Sequence, residues 1–141
     1  MTLPPRGGAS ASPIAATMTD EEAGNRATYD AFAAAWFARD LDALMALVTD
    51  DVVYGASVGP EPGRTFRGGV EVRKGFSVML ALDDAASSEV ASALFAGSVA
   101  CVEWQYTRLG EPAPSVRGID RLEFRGGRIS RKEAYRKVTS A

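Results

Sequence analysis

Two alternating segments separated by a pair of glycines constrain most strongly what this chain of 141 residues can fold into. Val116–Arg125 and Arg128–Val138 alternate apolar and polar side chains on either side of Gly126-Gly127. Alternation with a period of two is typical of half-buried strands, and a Gly-Gly pair is typical of a tight hairpin turn. The strands of a second predicted hairpin are Glu89–Ala96 and Val99–Arg108. The C-terminal half should therefore form a largely antiparallel sheet.

The first half of the chain has the spacing and the caps of helices. Thr19–Glu22 is a capping box that begins a helix ending near Ala38, and Asp40 caps a second, shorter helix. Val70–Leu82 predicts a third helix. The remaining predicted strands are Asp51–Gly59 and Thr65–Arg67. Three helices followed by long strands predict an α+β fold with the helices on one face of a curved sheet, which encloses a cone-shaped pocket.

The length of the chain favours a single domain, which we place at residues 19–141. Residues 1–18 are rich in Pro, Gly, Ala and Ser and are expected to form a disordered tail. This stretch lacks the apolar block of a signal peptide, and no apolar run is long enough to span a membrane. The expected compartment is the cytoplasm.

The residue types that are missing exclude several kinds of chemistry. The sequence has no histidine and a single cysteine, Cys101, which rules out most zinc-ligand sets, a Ser-His-Asp triad and a Cys-His pair. A net charge of −2 gives no general electrostatic reason to expect nucleic-acid binding. A catalytic site must therefore be built from carboxylates, Tyr, Lys, Arg or Ser, or from a metal held by oxygen atoms.

Asp120 lies on the apolar side of its predicted strand. The inward phase of that strand contains Gly118, Leu122 and Phe124, and the same test on the preceding strand turns Trp104 and Tyr106 inward. A buried carboxylate must be paired, protonated or hydrated. Asp120 is therefore either a paired structural residue or a polar group of a small-molecule pocket, and we favour the pocket.

The residue opposite Asp120 depends on the geometry of the glycine turn. A three-residue loop from Arg125 places Asp120 opposite Lys132, whereas a two-residue Gly126-Gly127 turn places it opposite Glu133. A lysine would favour the charged carboxylate, and a glutamate would keep one of the two acids neutral. Because like charges that face each other across strands are destabilising, the Lys132 register is preferred.

Three segments carry a resemblance to a known family. They are "AAAWFARDLDALMALVTDDVVY" (Ala33–Tyr54), "TFRGGVEVRKGF" (Thr65–Phe76) and "RGIDRLEFRGGRISRKEAY" (Arg117–Tyr135). In them the chain resembles the SnoaL-like group of the nuclear-transport-factor-2-like superfamily. The resemblance implies the cone-shaped α+β fold, which hosts polyketide cyclases, ketosteroid isomerase, epoxide hydrolases, dehydratases and domains that only bind ligands.

The resemblance also sorts the possible reactions. Ketosteroid isomerase uses an Asp base, a Tyr on the first helix and a neutral Asp, but the matching positions here are Ala56, Phe32 and Asp120. The Asp of the limonene-epoxide-hydrolase type of site corresponds to Ala134. Both mechanisms are therefore disfavoured. SnoaL-like cyclases close a ring by aldol chemistry with an Asp as acid and base, which implies no metal and no cofactor.

Our hypothesis from the sequence is a cyclase acting on a polyketide-like or other apolar natural-product intermediate. Asp120 would accept or shuttle the proton, and Tyr54 or Tyr106 would donate a hydrogen bond to the developing enolate. Lys132 would tune Asp120, and Arg136 near the mouth would attract an acidic end of the substrate. The predicted apolar walls are Phe32, Trp36, Phe76 and Trp104. The alternatives are a binding domain for a small apolar ligand and an isomerase or dehydratase that uses the same pocket.

The outer face of the sheet is the remaining predicted feature. Its mixed charge suits either water or a polar homodimer interface, and the resemblance implies a homodimer. The residues assigned to this face are Glu103, Gln105, Arg117, Ile119, Arg121, Ile129, Arg131 and Tyr135. No nucleic-acid or membrane partner is expected.

Overall fold

The computed structural model describes residues 17–59 and 63–137. Three helices come first in the chain together with two short strands, and four long strands follow. The helices are α1 (Asp20–Phe37), α2 (Leu41–Ala46) and α3 (Gly69–Leu82). The strands are β1 (Val48–Gly55), β2 (Thr65–Arg67), β3 (Ala85–Ala96), β4 (Val99–Arg108), β5 (Val116–Arg125) and β6 (Arg128–Arg136). Residues 1–16 of the predicted tail and residues 138–141 of the predicted domain lie outside the described residues.

The six strands form one mixed sheet in the order β2-β1-β6-β5-β4-β3. Strands β1 and β6 run parallel, and every other neighbouring pair is antiparallel. This confirms an α+β fold in which three helices pack on a mostly antiparallel sheet. No helix in the described part of the chain is both long and apolar enough to cross a membrane.

The helix caps form as the sequence predicts. The Thr19 hydroxyl accepts from the Glu22 amide at 3.1 Å and donates to the Glu22 carboxylate at 2.9 Å. The Asp40 carboxylate accepts from the Ala43 amide at 3.0 Å and begins α2. Farther along α1, Asn25 donates to the Gly97 carbonyl at 3.2 Å. These bonds fix where each helix begins and how α1 lies across the sheet.

Strand β1 differs from its prediction at both ends. It begins at Val48 rather than at Asp51, and it ends at Gly55 rather than at Gly59. Val48 is buried and pairs with Ile129 of the parallel strand β6. A partner so distant in sequence leaves no local signal, and for this reason the period-based prediction misplaced the boundary.

The turn between β5 and β6 contains only the two glycines. Arg125 pairs with Arg128, and Gly126 and Gly127 have φ angles of 60° and 77°. Positive φ at both central residues is the geometry of a type I′ turn, which matches the twist of the strands that it joins. The three-residue loop that we preferred from the sequence is therefore wrong.

A β-bulge then changes the register that this turn would otherwise give. One extra residue of β6, Ser130, is inserted, so that Asp120 pairs with Ala134. Asp120 thus lies opposite neither Lys132 nor Glu133, and both predicted registers are wrong. Lys132 is nevertheless two residues from the pairing position and points to the same face of the sheet as Asp120.

The bulge has a cause in the core. The Ile129 amide donates to the Leu47 carbonyl at 2.9 Å, and the Ile129 side chain is completely buried. We had predicted Ile129 on the outer face of the sheet, and that assignment is wrong. Without the extra residue, the alternation of β6 could not bury both Ile129 and Lys132, which are three residues apart.

Candidate functional site

A cavity of about 430 Å³ lies between the helices and the inner face of the sheet. A volume of this size is typical of small-molecule sites. Eight of the nine predicted site residues contribute to its wall: Asp120, Tyr54, Tyr106, Phe32, Trp36, Trp104, Lys132 and Arg136. The fold therefore brings together side chains from α1, β1, β4, β5 and β6.

Phe76 is the exception among the predicted wall residues. Its ring is completely buried and does not line the cavity. It packs edge-on against Phe32 and Trp36, with 5.6 Å between ring centroids in each case, and lies 4.9 Å from the Tyr54 ring. The prediction that Phe76 touches a ligand is corrected accordingly: α3 reaches the cavity with Met79 and Leu82, while Phe76 supports the aromatic wall from behind.

Asp120 is buried, and both of its carboxylate oxygens have partners. The Trp104 indole donates to one oxygen at 3.0 Å, and the Lys132 ammonium lies 3.4 Å from the other. Hydrogen bonds to charged groups and close opposite charges offset the cost of burying a carboxylate. The carboxylate is therefore held in one place on the cavity wall by two donors from the neighbouring strands.

Gly118 explains why the Trp104 indole can reach Asp120. It pairs directly with Trp104 across β4 and β5, and a Cβ atom at this position would overlap both the indole ring and the Tyr135 carbonyl. The absent side chain leaves room for the ring to lie across β5. In the sequence, the only signal for this arrangement is a glycine on an inward phase of a strand.

Aromatic rings also stabilise the charge of Lys132, in addition to its contact with Asp120. Its ammonium lies 5.1 Å, 5.2 Å and 6.0 Å from the ring centroids of Tyr54, Trp36 and Phe32. These distances are typical of cation–π contacts, which strengthen when water is excluded. Lys132 and Asp120 therefore form an ion pair inside an aromatic enclosure.

Two buried tyrosines lie close enough to Asp120 to be affected by its charge. Burial raises the pKa of Tyr54 well above its ordinary value, the Asp120 charge raises it further, and Arg136 partly opposes them. Burial also raises the pKa of Tyr29, again with a contribution from Asp120. Neither hydroxyl has a hydrogen bond to another described residue. Both tyrosines line the cavity and stay neutral, so each can donate a hydrogen bond to a ligand.

Among the wall residues that were not predicted as site residues, Tyr29 and Asp83 have polar groups in the site. Tyr29 lies on the buried face of α1, and helical spacing in the sequence does not separate core positions from cavity positions. Asp83, directly after α3, accepts from the Trp36 indole at 3.0 Å and from the Ala85 amide at 2.8 Å. Nothing in the local sequence indicates that Asp83 holds Trp36 in place. Among the described residues there is no group of three or more acidic, His or Cys side chains that could bind a metal.

The fold and the cavity together define a class of small α+β domains that enclose a ligand-sized pocket. A family model of the SnoaL-like domain matches residues 29–132, and the chain belongs to that family. This confirms the resemblance found in the sequence. A search of curated proteins gives no significant match.

Solved structures with the same fold come from several bacteria. An NTF2-like protein of unknown function from Mesorhizobium loti is 21% identical with a TM-score of 0.71, over 85% of this chain and 96% of that one. A proposed ketosteroid isomerase from Kribbella flavida is 19% identical with a TM-score of 0.67, over 86% and 83% of the two chains. A proposed polyketide cyclase from Sinorhizobium meliloti is 19% identical with a TM-score of 0.62, over 77% and 93%. At these identities the likeness shows the fold alone.

Proposed function

We propose that the protein is a cofactor-independent enzyme that closes a ring by aldol chemistry in a polyketide-like or other apolar natural-product intermediate. The observation that carries this proposal is the buried carboxylate of Asp120 on the wall of a largely apolar cavity. Trp104 and Lys132 hold it in one orientation at 3.0 Å and 3.4 Å. A fixed carboxylate next to neutral hydroxyl donors is the minimum set for enolate chemistry.

The reaction needs one proton to be taken up and returned. Asp120 removes a proton from the carbon next to a substrate carbonyl, and the electron pair moves to the carbonyl oxygen as an enolate. Tyr54 donates a hydrogen bond to that oxygen. The enolate carbon then forms a bond to a second carbonyl carbon, and the resulting alkoxide takes the proton back from Asp120. A positioned base contributes a factor of roughly 10²–10⁴ to such a reaction.

Tyr54 is better supported than Tyr106 as the donor. Tyr54 shares a neighbour with Asp120, because the Lys132 ammonium lies 5.1 Å from the Tyr54 ring centroid and 3.4 Å from the carboxylate. The Tyr106 ring instead stacks on Trp104 at 6.0 Å and lies 5.8 Å from the Arg136 guanidinium. Tyr106 is therefore proposed as part of the substrate wall. Phe32, Trp36 and Trp104 complete the apolar wall, and the Lys132 ammonium, 3.4 Å from Asp120, orients the carboxylate.

Proton abstraction can be tested without the natural substrate. The probe is 2-tetralone, a bicyclic ketone whose α-hydrogens exchange with deuterium in D₂O and can be followed by NMR. The protein should accelerate this exchange, Asp120→Asn should lower the catalysed rate by about 100-fold or more, and Tyr54→Phe by a smaller factor. Asp84→Asn is the matched control, because Asp84 is a half-exposed partner of Arg108. Asp120→Asn that exchanges protons as fast as the unmodified protein would refute the proposal.

A domain that binds an apolar ligand without reaction is the second candidate. It is favoured by the two partners of Asp120, which leave neither carboxylate oxygen free of a contact. Saturable binding of 2-tetralone with exchange no faster than in buffer would support it. An isomerase or dehydratase would share the proton abstraction and differ in its product. The ketosteroid isomerase mechanism lacks two of its groups, since Ala56 and Phe32 occupy those positions.

We also propose that the outer face of the sheet forms a homodimer interface. Ile119 and Tyr135 pair across β5 and β6 and are 39% and 56% exposed. Ion pairs surround them, such as Arg117 with Glu103 at 3.0 Å. An apolar pair inside a charged rim has the composition of a polar interface. The cytoplasmic location stays a prediction from the sequence.

A further inference from the structure

Arg136 is a charged residue of the cavity wall that has no hydrogen-bond or ion-pair partner among the described residues. Its guanidinium makes no hydrogen bond or ion pair with any described residue, and its Nε atom is buried. A buried donor that is left unsatisfied costs free energy. The guanidinium lies over the face of Tyr106, 5.8 Å from the ring centroid.

The other charged residues of the wall are engaged within the protein. Asp120 and Lys132 pair with each other, Asp83 accepts from the Trp36 indole, and Glu89 accepts from the Gln105 amide. Among the described wall residues, Arg136 is therefore the cation that has no acidic partner, whereas Lys132 is paired with Asp120. The cavity should consequently prefer ligands that bring a negative charge to this place.

The position of Arg136 relates this charge to the proposed reaction site. Arg136 pairs with Gly118, which is two residues along β5 from Asp120. Two residues of a strand span roughly 7 Å. The rings of Trp104 and Tyr106, on the neighbouring strand β4, stack on each other and offer a flat apolar surface. A ligand lying on that surface can place an anionic group at Arg136 and a reacting carbon at Asp120.

We propose that the ligand is a carboxylated aromatic or polycyclic compound whose carboxylate binds Arg136. A guanidinium is planar and binds a carboxylate through two parallel hydrogen bonds, which an ammonium cannot do. The identification of this compound as a substrate rests on the proposed function. The carboxylate preference itself is a binding property and does not depend on Asp120 as a base.

Two probes of the same shape test this preference. The probes are 2-naphthoate, which carries a carboxylate, and 2-naphthamide, which is neutral, with binding followed by quenching of tryptophan fluorescence. The protein should bind 2-naphthoate about tenfold more tightly than 2-naphthamide, as one partly desolvated ion pair would give. Arg136→Gln should abolish the difference, and Arg136→Lys should retain part of it. Arg128→Gln, at the exposed turn, should leave it unchanged.

Several results would overturn the proposal. They are equal affinities for the two probes, a preference that persists in Arg136→Gln, and no measurable binding of either probe to the folded protein. If Arg136→Gln does not fold, the unmodified protein still decides the question, because added salt should weaken the binding of 2-naphthoate and not that of 2-naphthamide. Asp120→Asn should keep the preference for the carboxylate probe even where it loses proton exchange. A failure of the carboxylate preference can therefore be distinguished from a failure of the proposed reaction.

Discussion

Replacement of Lys132 by methionine removes one charge from a buried ion pair while keeping the length of the side chain. The side chains of Lys132 and Asp120 are only 8% and 7% exposed, and 3.4 Å separates their charged atoms. Removing one partner of a buried pair leaves the other charge uncompensated, which costs about 3–5 kcal/mol. This cost includes the loss of the cation–π contacts that Lys132 makes with the rings of Phe32, Trp36 and Tyr54.

The assay is urea unfolding followed by tryptophan fluorescence. With a urea dependence of about 2 kcal/mol per molar, a loss of about 3 kcal/mol lowers the unfolding midpoint by about 1.5 M. The double variant Lys132→Met with Asp120→Leu removes both charges and should be more stable than Lys132→Met alone. If the two substitutions cost the sum of their separate effects, the charges do not interact and the reasoning is refuted.

Three further predictions concern other parts of the structure. Gly118→Ala should move the Trp104 indole off Asp120, cost about 1–3 kcal/mol of stability and slow 2-tetralone exchange; an unchanged exchange rate would contradict this. Because the folded protein raises the pKa of Tyr54 above the ordinary value of 10.0, this tyrosine contributes stability that is present below about pH 10 and is lost as the pH rises further. In urea titrations, Tyr54→Phe should therefore lose less stability between pH 9 and 11 than the unmodified protein loses. Equal losses in the two proteins would refute the raised pKa of Tyr54. Ultracentrifugation should show a dimer that Ile119→Arg dissociates, and a monomer at all concentrations would exclude the proposed interface.

Local patterns were sufficient for most elements of the fold. The caps at Thr19 and Asp40 and the alternation of β4 and β5 each depend on residues close in sequence, so that the sequence predicted them correctly. Asp120 stood out for the same reason, as an acid on an otherwise apolar phase. These signals were enough to predict which face of the sheet carries the cavity wall.

What the sequence could not predict depends on contacts between distant segments. The bulge in β6 exists because Ile129 bonds to Leu47, eighty-two residues earlier, and therefore both predicted registers failed. Lys132 still meets Asp120 because the bulge restores it to the inner face. The bond from Trp104 to Asp120 needs the space over Gly118, and the role of Asp83 needs the packing of α3 against α1. Neither is visible in the spacing of the residues.

The rate of 2-tetralone exchange by Asp120→Asn, compared with Asp84→Asn at equal folded concentration, tests the central claim most directly. If Asp120 is the base, Asp120→Asn should exchange the α-hydrogens at a rate about 100-fold or more below that of Asp84→Asn, while circular dichroism shows both variants folded. Equal catalysed rates in the two variants would contradict the account and leave Asp120 as a structural partner of Lys132.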